Sequence, residues 1–263
     1  MKNELAMRLF SRRSLTDSVA RDQITALNDF SGGLMRPDKC SEFEPIRTPF
    51  DPADIREPIR WLAKAHGEFL YQQGRPIHVS GAMWNLTHSP TARVPSPVFT
   101  NYWTGQFDGK WTNRVGIEKV EDFLSEMFRV TGSDFGLLTT EDDLRAKNRP
   151  TTSHSYAGLD LTLGVPGLYW TNFFSDEFAG WLGLSDLPSN LGALEGLPGG
   201  GVSLKFGESP DDCRSFEVLR KQRVAIDWLG PQRFFDIRSP NRKLDSPNWD
   251  HAPSQTNRDR KAD

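Results

Sequence analysis

The hydrophobic and polar positions between residues 167 and 184 predict a strand that turns directly into a short helix. The first half of this stretch is rich in aromatic side chains, which is typical of a buried strand. Ser175 is suited to cap the helix, because a serine oxygen can accept a hydrogen bond from the first turn. The predicted buried face of the helix comprises Phe178, Trp181 and Leu182. In the strand, Trp170 and Phe173 are expected to point to opposite faces of a sheet. We therefore expect the core to be organised around this stretch.

The pattern along the rest of the chain predicts four further strands and three long helices. The strands fall at residues 77–86, 98–107, 135–139 and 201–206, and the helices at 59–71, 117–130 and 216–229. In the last helix the predicted core face comprises Phe216, Leu219, Val224 and Trp228. Paired strands that alternate irregularly with helices are typical of an α+β fold. We therefore expect a mostly antiparallel sheet with helices packed on it.

The two ends of the chain differ from its middle. Residues 1–30 predict one helix that stops at Gly32 and Gly33. Residues 35–58 contain five prolines, which favours an extended surface connection over a long helix or a central strand. Residues 187–198 predict a loop, and residues 238–263 contain almost no apolar side chains. The predicted organisation is an N-terminal helix with a Pro-rich extension (1–58), an α+β domain (59–237) and a polar tail (238–263).

Composition narrows the classes of partner and compartment. The formal net charge of the 263 residues is -3, which gives no long-range attraction to nucleic acid or to an anionic membrane. No apolar run approaches the roughly 18 residues of a membrane span, and no secretory signal follows the start. The two cysteines, Cys40 and Cys213, suit a reducing compartment. We therefore expect a cytoplasmic protein that binds neither nucleic acid nor membrane.

The sequence offers no recognisable catalytic constellation. The five histidines do not stand at zinc-site spacing, and no phosphate-binding, dinucleotide-binding or nucleophile-elbow motif is present. The run Gly199-Gly200-Gly201 precedes a predicted strand rather than a helix, which disfavours a phosphate loop. We therefore expect no metal site and no cofactor, and we expect the protein not to be an enzyme, although many active sites are built from residues scattered in sequence.

Three segments resemble stretches of a known family, in the family's order. They are Phe135–Leu144 (FGLLTTEDDL), Gly164–Leu184 (GVPGLYWTNFFSDEFAGWLGL) and Leu197–Pro210 (LPGGGVSLKFGESP). They are similar to bacterial polymorphic-toxin immunity proteins, in particular the immunity protein 52 family and the related type VI secretion immunity proteins. The likeness covers about residues 59–230, whereas the first hundred residues depart from the family pattern.

The resemblance implies a non-catalytic protein that binds and neutralises one cognate protein toxin. Two other classes stay open, namely an enzyme with an unrecognised site and a phage or mobile-element accessory protein. A toxin that acts on nucleic acid in the cytoplasm tends to be basic, so an acidic face is the expected contact. The densest acidic group outside the tail comprises Asp134, Glu141, Asp142 and Asp143. We interpret these four as candidate toxin-binding residues, although acids at positions 141–143 also simply favour a helix N-terminus.

Overall fold

The computed structural model describes residues 4–13, 15–75, 78–85, 101–108, 115–147, 165, 167–235 and 245. Over these residues the chain forms one ten-stranded sheet. The strands are β1 Leu5–Ser11, β2 Lys39–Ser41, β3 Thr48–Pro49, β4 Glu68–Gln73, β5 Val79–Asn85, β6 Asn101–Phe107, β7 Phe135–Thr140, β8 Thr171–Phe174, β9 Ala193–Gly196 and β10 Val202–Lys205. Their order in the sheet is β3-β2-β4-β5-β6-β1-β7-β8-β10-β9. The helices are α1 Asp17–Asp29, α2 Arg56–Ala63, α3 Ile117–Thr131, α4 Glu141–Lys147, α5 Asp176–Leu182 and α6 Phe216–Leu229. Every ladder between these strands is antiparallel, which confirms the α+β prediction.

The predicted strand-to-helix stretch is confirmed. Ser175 accepts a hydrogen bond from the N–H of Phe178 and caps α5, and Gly183 ends the helix in a left-handed conformation. Phe178 and Leu182 are buried, whereas Trp181 is partly buried. The expectation that Trp170 and Phe173 face opposite sides is wrong, because both belong to the same buried cluster. β8 begins only at Thr171, so Trp170 lies in the bend before the strand and does not follow its alternation.

The prediction of a single helix over residues 1–30 is wrong. Leu5–Ser11 is a strand, and it pairs with β6 on one side and β7 on the other. Side chains on both of its faces are buried, so the apolar residues of this segment do not alternate with polar ones as in a one-sided strand. Among the described residues of this segment the α-helix is α1, which is capped by the Thr16 hydroxyl, the acceptor for the N–H of Val19. The boundary drawn at residue 58 has no counterpart in the sheet, since strands from both sides of it pair with each other.

The predicted helix over residues 59–71 is also wrong in its second half. α2 ends at Ala63, and the chain continues into strand β4. The break falls at His66, which has a φ of 57°, and at Gly67. A Cβ at Gly67 would lie 2.1 Å from the carbonyl oxygen of Trp61, so only glycine fits this turn.

Two segments predicted to lack sheet structure contribute short strands at or next to the sheet edges. The Pro-rich stretch contains the short strands β2 and β3, and the predicted loop over residues 187–198 contains β9. Pro49 is tolerated in β3 because this strand is at the edge of the sheet. The predicted polar tail (238–263) lies outside the described residues, apart from Asp245, whose N–H donates to the Gln232 carbonyl.

The sheet carries a core on each face. One cluster packs α1, α2 and α3 against side chains such as Met7, Tyr71 and Trp103. The other packs α5 and α6 against side chains such as Phe10, Phe135 and Phe174, near the β8 end of the sheet. No helix in the described part of the chain is long and apolar enough to cross a bilayer.

The predicted core face of α6 is wrong. Phe216, Leu219, Val224 and Trp228 are exposed, at 84%, 41%, 38% and 58% respectively. The residues that face the core are Val218, Gln222, Ala225 and Leu229. Apolar side chains occur on both sides of this helix, so its sequence pattern alone does not identify the buried side.

Candidate partner-binding surfaces

The structure separates the four acidic residues that the sequence analysis grouped together. Asp134 is buried, and its carboxylate accepts hydrogen bonds from the backbone N–H of Arg12 and from the Arg12 guanidinium, each at 2.8 Å. Arg12 also donates to Glu177 at 2.7 Å. Burial by itself lowers the pKa of Arg12, but the hydrogen bonds to Asp134 and Glu177 outweigh it and raise the pKa above its ordinary value. Asp134 is therefore a buried structural residue that is not accessible to a partner.

Asp143 is likewise buried, in a polar cluster beneath α4. It accepts a hydrogen bond from the Thr139 hydroxyl at 2.7 Å and forms an ion pair with Lys147 at 2.8 Å. The Lys147 ammonium also donates to the Leu168 carbonyl and to Gln222, each at 2.9 Å, so its donors are all used. Burial lowers the pKa of Lys147 below its ordinary value. The cluster ties α4 to α6 and to the chain before β8.

The cysteine beside this cluster is buried as well. The sulfur of Cys213 lies 3.2 Å from the Thr140 hydroxyl, and burial raises the pKa of its thiol. A buried, protonated thiol is a poor nucleophile. Among the described residues, no group of three or more His, Cys, Asp or Glu side chains could hold a metal ion.

The remaining two nominated acids lie on the outer side of α4. Glu141 pairs with Arg145 at 2.9 Å, and its side chain is only 16% exposed. Asp142 is exposed. Of the four nominated residues, Asp142 is therefore the one whose carboxylate is most available to a partner.

A wider acidic surface lies in a groove between α3 and the β8–β10–β9 end of the sheet. The groove has a volume of about 600 Å³. Its wall is the outer side of α3, and its floor is formed by sheet side chains such as Phe173, Ser203 and Lys205. The carboxylates that line it are Glu118, Glu121, Asp122, Glu126 and Glu195, and the cations are Arg129 and Lys205.

Internal pairs neutralise only part of this charge. Lys205 bonds Glu121 at 2.8 Å and lies 4.9 Å from the centre of the Trp170 ring. Arg129 donates to Glu126 at 2.6 Å, and this hydrogen bond lowers the pKa of that carboxyl. Within the described residues, Glu118 and Glu195 form no ion pair, and both are exposed.

Asp122 is also exposed, and its ion pair with Lys119 is a long one, at 3.9 Å. The groove therefore presents net negative charge around a floor of mixed polar and apolar side chains, a combination that suits a basic protein surface.

This groove is not predicted from the sequence, although one signal for it is visible in α3. The acids of α3 recur at positions 118, 121, 122 and 126, which is the spacing of one helical face beside the apolar stripe. The contribution of Glu195 comes from a strand far away in sequence, and no periodicity links it to α3.

Two other surfaces are open. A groove of about 580 Å³ lies on the sheet face formed by β4, β5, β6 and β1, with Arg8, Glu44, Glu68 and Trp84 among its lining residues. Glu68 accepts a hydrogen bond from the Trp84 indole, but burial, together with the nearby Glu44, raises the Glu68 pKa above its ordinary value. The other open surface is the exposed apolar side of α6 described above.

Comparison with known proteins gives a match in structure and none in sequence. No family model matches the chain, and no curated protein matches it significantly. A solved structure described as the Pseudomonas aeruginosa T6SS protein PA0821 matches with a TM-score of 0.56 and 13% sequence identity. The match covers 94% of this chain and 85% of that chain. At this identity the likeness shows that the two proteins share a fold that extends over nearly the whole chain.

Proposed function

We propose that this protein is an immunity protein, which binds and neutralises a cognate toxin of a type VI secretion system or another polymorphic toxin system. The observation that carries the proposal is the acidic groove beside α3, displayed on the fold of a protein described as belonging to the type VI secretion system. The resemblance of Phe135–Leu144, Gly164–Leu184 and Leu197–Pro210 to immunity proteins adds support from the sequence. Inhibition of this kind requires a complementary surface and no chemistry.

The negative charge of the groove is expected to affect how fast the toxin associates. A basic toxin is attracted to net negative charge over about one Debye length, roughly 10 Å at 0.1 M salt. The attraction mainly accelerates association, while the close contacts made inside the groove govern dissociation. We place the interaction in the cytoplasm, where such a toxin would act on nucleic acid or a nucleotide.

Co-expression tests the proposed function. Cells that express the toxin domain encoded by the adjacent gene are expected to survive only when this protein is also produced. The purified pair is expected to form a stoichiometric complex. Turnover of a substrate by this protein without any partner, or absence of protection, would favour the enzyme alternative.

Matched charge reversals test the contact surface. Asp122 and Asp142 are both exposed, one in the groove and one on α4, and their replacement by lysine changes the net charge equally. Asp122→Lys is expected to slow association by roughly threefold to tenfold at low salt, and the difference should shrink as salt is added. Asp142→Lys is expected to change the rate much less. The opposite ranking would place the contact on α4, as the sequence analysis nominated.

A further inference from the structure

The two edges of the sheet differ in their capacity to accept another strand. At one edge, β3 is only two residues long, and Pro49 has no N–H to donate. At the other edge, β9 has four residues, none of them proline, and all four are exposed. The β9 edge is therefore the more open of the two.

The hydrogen-bond register shows which backbone groups of β9 point away from the sheet. The N–H of Leu197 donates to the Gly201 carbonyl at 2.9 Å, in the same antiparallel register that pairs Glu195 with Ser203. Hydrogen-bonded pairs alternate along an antiparallel ladder. Residues 193, 195 and 197 therefore direct their backbone groups to β10, and Leu194 and Gly196 direct theirs outward. Among the described residues, these outward N–H and C=O groups have no backbone partner.

The side chains along this edge alternate in character. Glu195 faces the acidic groove together with Ser203, whereas Leu194 lies on the other face of the sheet, opposite the buried Leu204. A strand added next to β9 would place every second side chain beside Glu195 and the α3 carboxylates. The side chains between them would lie beside Leu194, which is 40% exposed.

We propose that β9 is a strand-addition site, at which an extended segment of the toxin pairs with Leu194 and Gly196 and carries alternating basic and apolar side chains. This inference rests on the proposed function, because it specifies how the acidic groove recognises its partner. Main-chain hydrogen bonds to the two residues supply affinity, and the charge of the groove selects the basic side chains. Glu195 forms no ion pair among the described residues. If two copies paired through their β9 edges, repulsion between their Glu195 carboxylates would disfavour the pairing.

Proline and alanine variants of the same residues test the inference. Leu194→Pro removes an outward N–H that the native ladder does not use, whereas Leu194→Ala keeps it and removes the side chain. Gly196→Pro and Gly196→Ala form a second pair, and a Cβ at Gly196 meets no atom within 4 Å. With the purified toxin domain as probe, both proline variants are expected to bind at least about tenfold more weakly than their alanine counterparts. Thermal melting of each free variant is the control for folding.

Amide hydrogen exchange provides a readout independent of mutation. The amides of Leu194 and Gly196 are expected to exchange rapidly in the free protein and at least about tenfold more slowly in the complex. Unchanged exchange, or folded proline variants that bind as tightly as the alanine variants, would overturn strand addition while leaving the proposed function intact.

Two further outcomes would also overturn the inference. Failure of the unaltered protein to bind the toxin would reject the proposed function and strand addition together. A dimer of the free protein that protects these amides and is lost in Leu194→Pro would show that a second copy occupies the edge.

Discussion

At the scale of single residues, burial decides what each acid contributes. Asp134 and Glu177 both bond the same guanidinium, that of Arg12, at nearly equal distances. The side chain of Asp134 is 8% exposed and that of Glu177 is 58% exposed. Removing a partner from a buried ion pair leaves an uncompensated charge, whereas an exposed pair is solvated and screened. Asp134 also accepts the backbone N–H of Arg12, so the two acids are expected to contribute unequally to stability.

The first prediction follows from this comparison. Asp134→Ala is expected to lower the free energy of unfolding by about 3–5 kcal/mol, because it leaves the Arg12 charge buried without its inner partner. Glu177→Ala is expected to cost about 1 kcal/mol or less, including its interaction with the α5 dipole. Chemical denaturation of the two variants measures both values. Equal losses would show that Asp134 is solvated in solution.

At the scale of elements, α6 carries apolar residues on both of its sides, so its buried side can be identified only from its contacts with the sheet. Its buried side packs on the β8 end of the sheet, and its other side carries Phe216 and Trp228 into solvent. Side chains that stay exposed contribute little buried apolar area to the stability of the fold. The two sides should therefore respond differently to truncation.

The second prediction compares the two sides of α6. Leu229→Ala is expected to lower the free energy of unfolding by about 2–5 kcal/mol, since Leu229 is 3% exposed and its loss leaves a cavity. Phe216→Ala is expected to change it by no more than about 0.5 kcal/mol. Thermal or chemical denaturation provides the measurement. A large loss for Phe216→Ala would mean that another part of the chain covers this side.

At the scale of the whole molecule, β1 links the two halves of the sheet. It lies between β6 and β7 and contributes Met7 to one core cluster and Phe10 to the other. Removing it would expose the edges of both neighbouring strands and open both clusters. The N-terminal segment therefore shares one sheet and both core clusters with the residues from 59 onward.

The third prediction tests whether the chain from residue 59 onward can fold without the N-terminal segment. A chain that begins at residue 59 is expected to show no cooperative thermal transition, because it lacks β1, β2, β3 and α1. The full chain is expected to melt in one cooperative transition that is the same by far-UV and near-UV circular dichroism. A cooperative, native-like melt of the shortened chain would restore the boundary at residue 58.

The sequence by itself determined those elements whose signals are local. Ser175 and the acids after it specify the start of α5, because the capping bond is made within one turn. Gly132 ends α3 in a left-handed conformation that glycine adopts without strain. The same holds for strands β5 and β6, because the alternation of apolar and polar side chains is visible within each strand. The antiparallel α+β class followed from the order of such elements.

Only the tertiary structure decided the features that depend on what lies across the fold. Leu5–Ser11 is a strand because β6 and β7 satisfy its backbone on both sides, and burial on both faces removes the alternation that would have identified it. The buried side of α6 is set by the sheet beneath it. The acidic groove exists because β9 and α3, far apart in sequence, line the same cavity. Distant contacts of this kind leave no periodic trace in the chain, since each partner follows only the pattern of its own element.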